Sequence, residues 1–240
     1  MINVLLALMF IASFLVAIAL HEFAHAMVAS WLGDHTPESD GRRTLNIRDH
    51  IDPVGLLLCV ILAFQPGGGA ALGWGRPVKT DPWKLRGGPN FGTMVVALAG
   101  PIFSLIVGLL AGLLLRVFSV DIINNVYLYR IPQFVLAFAI ANIGIAILNI
   151  VPIYPLDGYQ ILYALLPSRQ AMSFAKSAPY GPFIILAIFF LLPFLGQFIG
   201  PLGTLFIFHL ASYITQVAGY VVSLVAGPTF DLIGQLFYLR

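Results

Sequence analysis

Five apolar segments, at about residues 2–31, 91–117, 132–151, 180–198 and 202–226, are each long enough to cross a bilayer. A span needs about 20 consecutive apolar residues. Nothing else in the chain limits its fold as strongly. Charged residues make up 9% of the 240, with 12 Lys and Arg against 10 Asp and Glu. A soluble domain carries about a quarter, so these charges are too few to cover a soluble surface. Disorder, fibrous repeats and nucleic-acid binding fit this composition poorly. The expected fold class is an all-α polytopic membrane protein with about five to six transmembrane helices.

A sixth apolar run, 54–66, is shorter and leads into Gln65-Pro66-Gly67-Gly68-Gly69, where a helix does not continue. A cleaved signal peptide is considered for the first segment, because Ala17-Ile18-Ala19 resembles a cleavage site. No basic region precedes it, and apolar residues run on to about Leu32, so a retained helix is expected. The single cysteine, Cys59, cannot form an internal disulfide. The whole chain, 1–240, reads as one integral membrane domain.

Within segment 2–31 the only formal charge is Glu22, and from Ile131 to Pro167 it is Asp157. An ionisable group in hydrocarbon costs several kcal/mol and marks function by default. Glu22 lies in His21-Glu22-Phe23-Ala24-His25, the H-E-x-x-H pattern. On a helix, i and i+4 share a face, so both imidazoles can bind one Zn²⁺ with the glutamate as general base. A catalytic zinc takes three protein ligands, and the third must come from elsewhere. Asp157 is the candidate. Pro152 and Pro155 precede it, and they unwind the chain where irregular backbone is tolerated only around a protein or water site. An N-cap role for Asp157 over 158–166 is the alternative reading, compatible with ligation.

Together, HEFAH and the run Asn149-Ile150-Val151-Pro152-Ile153-Tyr154-Pro155-Leu156-Asp157-Gly158 resemble the site-2 protease family of intramembrane zinc metalloproteases. Leu98-Ala99-Gly100-Pro101, Gly73-Trp74-Gly75-Arg76-Pro77-Val78 and the run from Gly41 to Gly55 are also similar. The resemblance covers about residues 1–166 and is nearest to short prokaryotic members without PDZ or CBS domains. It implies a protease core over 1–166, with 167–240 as an added helix pair and tail. It implies one catalytic Zn²⁺ held by His21, His25 and Asp157, with Glu22 as base and Asn149 positioning substrate or stabilising the oxyanion. It also implies a small membrane-associated β-hairpin at Gly73–Val78 that holds substrate as an added strand, making Gly73, Trp74 and Gly75 substrate-binding candidates. Many members read G-P-x-x-N where this chain has Gly100-Pro101-Ile102-Phe103-Ser104. Ser104 is smaller than asparagine and still able to hydrogen-bond.

Depth tests the zinc assignment. From the start of the span near Val4, His21 lies about 25 Å along a core about 30 Å thick. Asp157 follows the far end of segment 132–151. The two meet only if both segments run in the same direction, which requires an odd number of crossings between them. Segment 91–117 supplies one, so 54–66 is expected to be re-entrant or in-plane, or half of a hairpin with the Gly-rich turn. Loops 32–90 and 152–179 and the C-terminus then share one side. That side holds Arg42, Arg43, Arg48, Arg76, Lys79, Lys84, Arg86, Arg169, Lys176 and Arg240, against Arg116 and Arg130 on the other. The positive-inside bias places the N-terminus outside and the zinc site towards the cytoplasm of a prokaryotic cell membrane.

Asn142 lies seven residues before Asn149 on the same helix face. An interhelical hydrogen bond is its favoured role, with substrate binding as the other. His209 is expected to make a packing hydrogen bond, and His35 and His50 to lie in a solvated loop. The expected activity is hydrolysis of peptide bonds in or near transmembrane segments, with single-span membrane proteins as substrates, the bilayer as surroundings and no nucleic-acid partner. A metal transporter using the same ligands is a competing class, although the chain offers one convincing cluster rather than a path. A silent relative that binds membrane helices is disfavoured by the intact ligands and Glu22.

Overall fold

The structure, a computed structural model, describes residues 4–65, 72–118, 120–125 and 127–239. Its main helices are α1 (Val4–Trp31), α2 (Pro53–Ala63), α3 (Pro89–Leu114), α4 (Arg130–Asn149), α5 (Asp157–Leu165) and α6 (Ser168–Ala175). They are followed by α7 (residues 181–196), α8 (Leu210–Ala226) and α9 (Pro228–Leu239). Among the described residues, four stretches are long and apolar enough to cross a membrane: Val4–Trp31, Pro89–Val117, Arg130–Asn149 and Ser168–Gly196.

Local sequence explains the boundaries. Asp52 caps α2 by accepting from the Val54 and Gly55 amides, both at 2.9 Å, and Pro53 fills the first helical position. A proline there loses no hydrogen bond the helix would make. At 11 residues, α2 is about 16 Å long, short of a bilayer crossing, as the crossing parity requires. Pro89 opens α3 in the same way, and α8 ends at Gly227 before Pro228. The prolines at 152 and 155 hold residues 150–156 out of helix until α5 begins at Asp157.

Two expectations change. The segment 202–226 is helical in α form only from Leu210, giving a 17-residue α8. Short 3-10 turns fill Gly200–Thr204 and Phe206–Phe208 instead. Pro201 supplies no amide donor and Gly203 is a weak helix former, so the α-helix starts late. The expected β-hairpin at Gly73–Val78 is absent as strands among the described residues. Segment 72–78 is extended and joins the preceding loop through one antiparallel bridge, Ile51 with Gly75. Arg76 N also donates to His50 O at 2.8 Å. Pairing stops there because Pro77 has no amide donor, and because Leu72 and Trp74 are drawn into the helical core, each 2% exposed. The Gly67–Gly69 part of the expected turn lies outside the described residues.

The helices α1, α3 and α4 pack against one another, and α8 covers α3 and α4. Phe10, Phe14 and Ile18 of α1 meet Cys59 of α2 and Ala137 and Ile145 of α4. Trp74 is buried among Leu58, Leu62, Leu148, Leu156 and Ile185, so the extended segment is wedged between α2, the end of α4 and α7. Ile102, Ile106, Leu110 and Leu113 of α3 stay exposed, an apolar outer face suited to lipid rather than water.

Candidate metal centre

The helices α1 and α3 run antiparallel, and the histidines of α1 read that register. His25 Nδ1 lies 2.7 Å from Val96 O and His21 Nδ1 lies 2.9 Å from Ser104 Oγ. Both Nε2 atoms turn the other way, towards Asp157. His21 Nε2 is 2.9 Å from Oδ2 and His25 Nε2 is 3.2 Å from Oδ1. One ligand atom from each of the three residues lies within 4.8 Å of the others. Asp157 sits eight residues beyond the end of α4, so α1 and α4 run in the same direction, as the parity argument demanded. Asp157 does not cap α5: Leu156 holds that position, and the carboxylate serves the histidines.

The arrangement fits zinc on its own geometry. Donors about 2.0–2.1 Å from a tetrahedral ion lie about 3.3 Å apart, close to the two separations between the histidines and Asp157. Zinc-ligating histidines characteristically give their second ring nitrogen to a protein acceptor, and here Ser104 and Val96 are those partners. His25 Nε2 is buried without an aligned hydrogen bond, a lone pair kept for something else. Gly100 makes the space. A β-carbon there would lie 2.3 Å from His25 Nε2 and 2.6 Å from His21 Nε2. Only glycine lets α3 pass this close behind both imidazoles.

Glu22 is 5% exposed, and its Oε2 has no hydrogen-bond partner. It lines a cavity of about 60 Å³ with His25, Asp157, Asn149, Trp74 and Gly75. That is room for a few waters and no more. Pro77 and Val78 complete the roof, while Thr93, Tyr154, Pro155 and Gln160 line other walls. The roof is fastened from behind by Arg42, 8% exposed, whose guanidinium donates to Asp49 O and Arg76 O. His50, buried beside this clamp, donates from Nε2 to Thr44 O at 2.7 Å. Burial pushes its imidazole below the ordinary histidine range, although the Thr44 carbonyl works the other way.

The expected site residues divide clearly. His21, Glu22, His25, Asp157 and Asn149 come together. Asn149 spends one amide hydrogen on Ile145 O at 2.9 Å and has a second left for the cavity. Trp74 and Gly75 line the cavity, whereas Gly73 packs against Gly55 and Phe14. Asn142 is not brought into the site. Fully buried, it packs by Gly108 of α3 but donates to Phe138 O one turn back in its own helix, so the expected interhelical hydrogen bond is replaced by an intrahelical one. His209 bonds Gly203 O at 2.9 Å, and His35 pairs with Glu38 at the surface. Sequence reasoning missed what Gly100 and Arg42 do. The signal for Gly100 was its place four residues before Ser104 on a span facing the histidines. Nothing in the sequence tied Arg42 to segment 72–78.

Comparisons agree with this geometry. YwhC of Bacillus subtilis, named as a candidate zinc metalloprotease, is 30% identical over 192 residues, 79% of this chain and 82% of that protein. Rip2 of Mycobacterium tuberculosis, named likewise, is 32% identical over 216 residues, 90% of this chain and 79% of its own length. Rip2 of Mycolicibacterium smegmatis is 29% identical over 187 residues, covering 78% and 68%. No protein-family model and no solved structure matches the chain.

Proposed function

Because the chain belongs to the site-2 protease family of zinc metalloproteases, we propose that it cleaves membrane-protein substrates in or near their transmembrane segments, with His21, His25 and Asp157 holding one zinc ion. The observation that carries this reading is the buried His-His-Asp group, with the unpartnered Glu22 Oε2 on the same small cavity.

Zinc, when bound, supplies Lewis acidity at an open coordination position. The chain's own residues do the rest. Glu22 takes a proton from the attacking water and returns it to the leaving amine. The free amide hydrogen of Asn149 is directed to the oxyanion, where one such donor in a dry site contributes about 3 kcal/mol. The extended segment Gly73–Val78 supplies the edge that receives the substrate as a strand. Trp74, Gly75, Pro77 and Val78 border the cavity, which supports this role. The excess of basic residues in loops 32–90 and 152–179 supports a site facing the cytoplasm, with the N-terminus outside. The same charge distribution and the bacterial relatives support a prokaryotic cell membrane.

Converting Glu22 to Gln tests the mechanism. The variant should retain zinc and lose cleavage in co-expression with a library of single-span proteins. Full cleavage by it would overturn the reading.

A further inference from the structure

The two histidines are supported by different chemistry, and the difference has a consequence for metal loading. Behind His25 stands a backbone carbonyl, Val96 O, at 2.7 Å. A carbonyl only accepts, so His25 must carry its hydrogen on Nδ1. In a neutral His25 the lone pair is then on Nε2 and faces the site, in keeping with the absence of an aligned hydrogen bond there. Behind His21 stands a hydroxyl, Ser104 Oγ, at 2.9 Å and wholly buried. A hydroxyl both donates and accepts, and it turns to suit its partner.

In this structure His21 Nε2 lies 2.9 Å from Asp157 Oδ2. A carboxylate accepts, so a neutral His21 donates from Nε2 and must accept at Nδ1, from the Ser104 hydroxyl. With zinc on Nε2 the roles reverse: the hydrogen sits on Nδ1 and the Ser104 oxygen accepts it. We propose that Ser104 is a positioning residue for metal loading, a reversible hydrogen-bond partner that holds the His21 ring in one orientation through both states. The proton count is unchanged. One hydrogen leaves Nε2, one arrives on Nδ1, and the hydroxyl rotates. His25 is preset, His21 is convertible, and in the metal-free centre His21 and Asp157 pair with each other.

This inference rests on the zinc reading above, and the test separates the two. Ser104→Ala removes the partner, Ser104→Cys keeps the volume with a weak donor and acceptor, and Ser104→Thr restores a hydroxyl. Zinc affinity is measured on the purified full chain by competition with a chelator, alongside thermal unfolding of the metal-free protein. Loss of an outer partner of a ligating histidine lowers metal affinity about 10–100-fold. That loss is expected for the alanine and cysteine variants. The threonine variant should stay within about threefold of wild type, and metal-free unfolding should move to lower temperature in the alanine and cysteine variants, which lose one buried hydrogen bond, and hold in the threonine variant. Wild-type affinity in Ser104→Ala overturns the proposal. So does a loss that threonine fails to restore, since that assigns the effect to packing. A wild-type chain that binds no zinc, or a His25→Ala variant that binds it as well as wild type, defeats the zinc reading itself.

Discussion

Gly75 lies against Glu22 so closely that a β-carbon on the glycine would sit 2.5 Å from Glu22 Oε1 and 2.8 Å from Ile18 Cγ1. The general base and the extended segment above it are fitted as one surface, and the fit depends on a missing side chain. Trp74, next in line, is sunk into the core at 2% exposure, so the segment cannot rise locally without pulling an indole from its pocket.

Gly75→Ala should therefore displace the glutamate or the segment by about the width of a methyl group. Misplacement of a reacting group by about 1 Å costs about 100-fold in rate. Cleavage should fall by that order while bound zinc stays at wild-type level, because His21, His25 and Asp157 are untouched. Near-normal cleavage with unchanged zinc would show that the contact relaxes without consequence.

Gly100→Ala should act on the metal instead. On helix propensity alone the change favours α3 by about 1 kcal/mol, so helix content should hold or rise. The new methyl would meet both Nε2 atoms, at 2.3 and 2.6 Å, and these are backed by fixed partners on the same helix. The expected result is a folded protein that does not retain zinc through purification. Stoichiometric zinc in that variant would contradict the role given to Gly100.

How much of this was legible in the sequence follows from the range of each effect. Glu22 and Asp157 stand out because a charge in an apolar run has few explanations, and the parity of crossings then brings them together. The late start of α8 was missed because hydropathy does not distinguish α-helix from 3-10 turns, and Pro201 and Gly203 act through backbone hydrogen bonds. The hairpin expectation failed for a tertiary reason, since Leu72 and Trp74 gain more by burial against α2, α4 and α7 than by pairing. Arg42 was invisible because its partners are the backbone carbonyls of Asp49 and Arg76, and a carbonyl carries no residue signature.

Arg42→Met should loosen the roof without touching the metal. It keeps the apolar stem and removes two hydrogen bonds from a charged donor, each typically about 1.5–3 kcal/mol. Limited proteolysis should then cut within 73–80 faster than in wild type, and KM should rise more than kcat falls. Arg42→Lys should rescue this only in part, because an ammonium lacks the planar fork that reaches two carbonyls together. Wild-type proteolysis in Arg42→Met would remove the clamp from the account.

Asp34 ties the far end of the same loop. Its carboxylate is fully buried and accepts from Thr36 N at 3.0 Å and Asp81 N at 2.7 Å. Burial works to raise its pKa, but the Thr36 and Asp81 hydrogen bonds and the Lys84 charge prevail and hold it below the ordinary carboxylate range. A depressed folded-state pKa means stability that is present above the unfolded value of about 3.9 and lost as pH falls through the folded one. Asp34→Asn cannot satisfy both amides equally and does not titrate. Thermal unfolding in detergent should place wild type above the variant by a constant margin from pH 5 to 8. Below about pH 4 the margin should shrink. A margin that holds at pH 3 would mean the carboxylate charge contributes nothing, and the loop is held by packing instead.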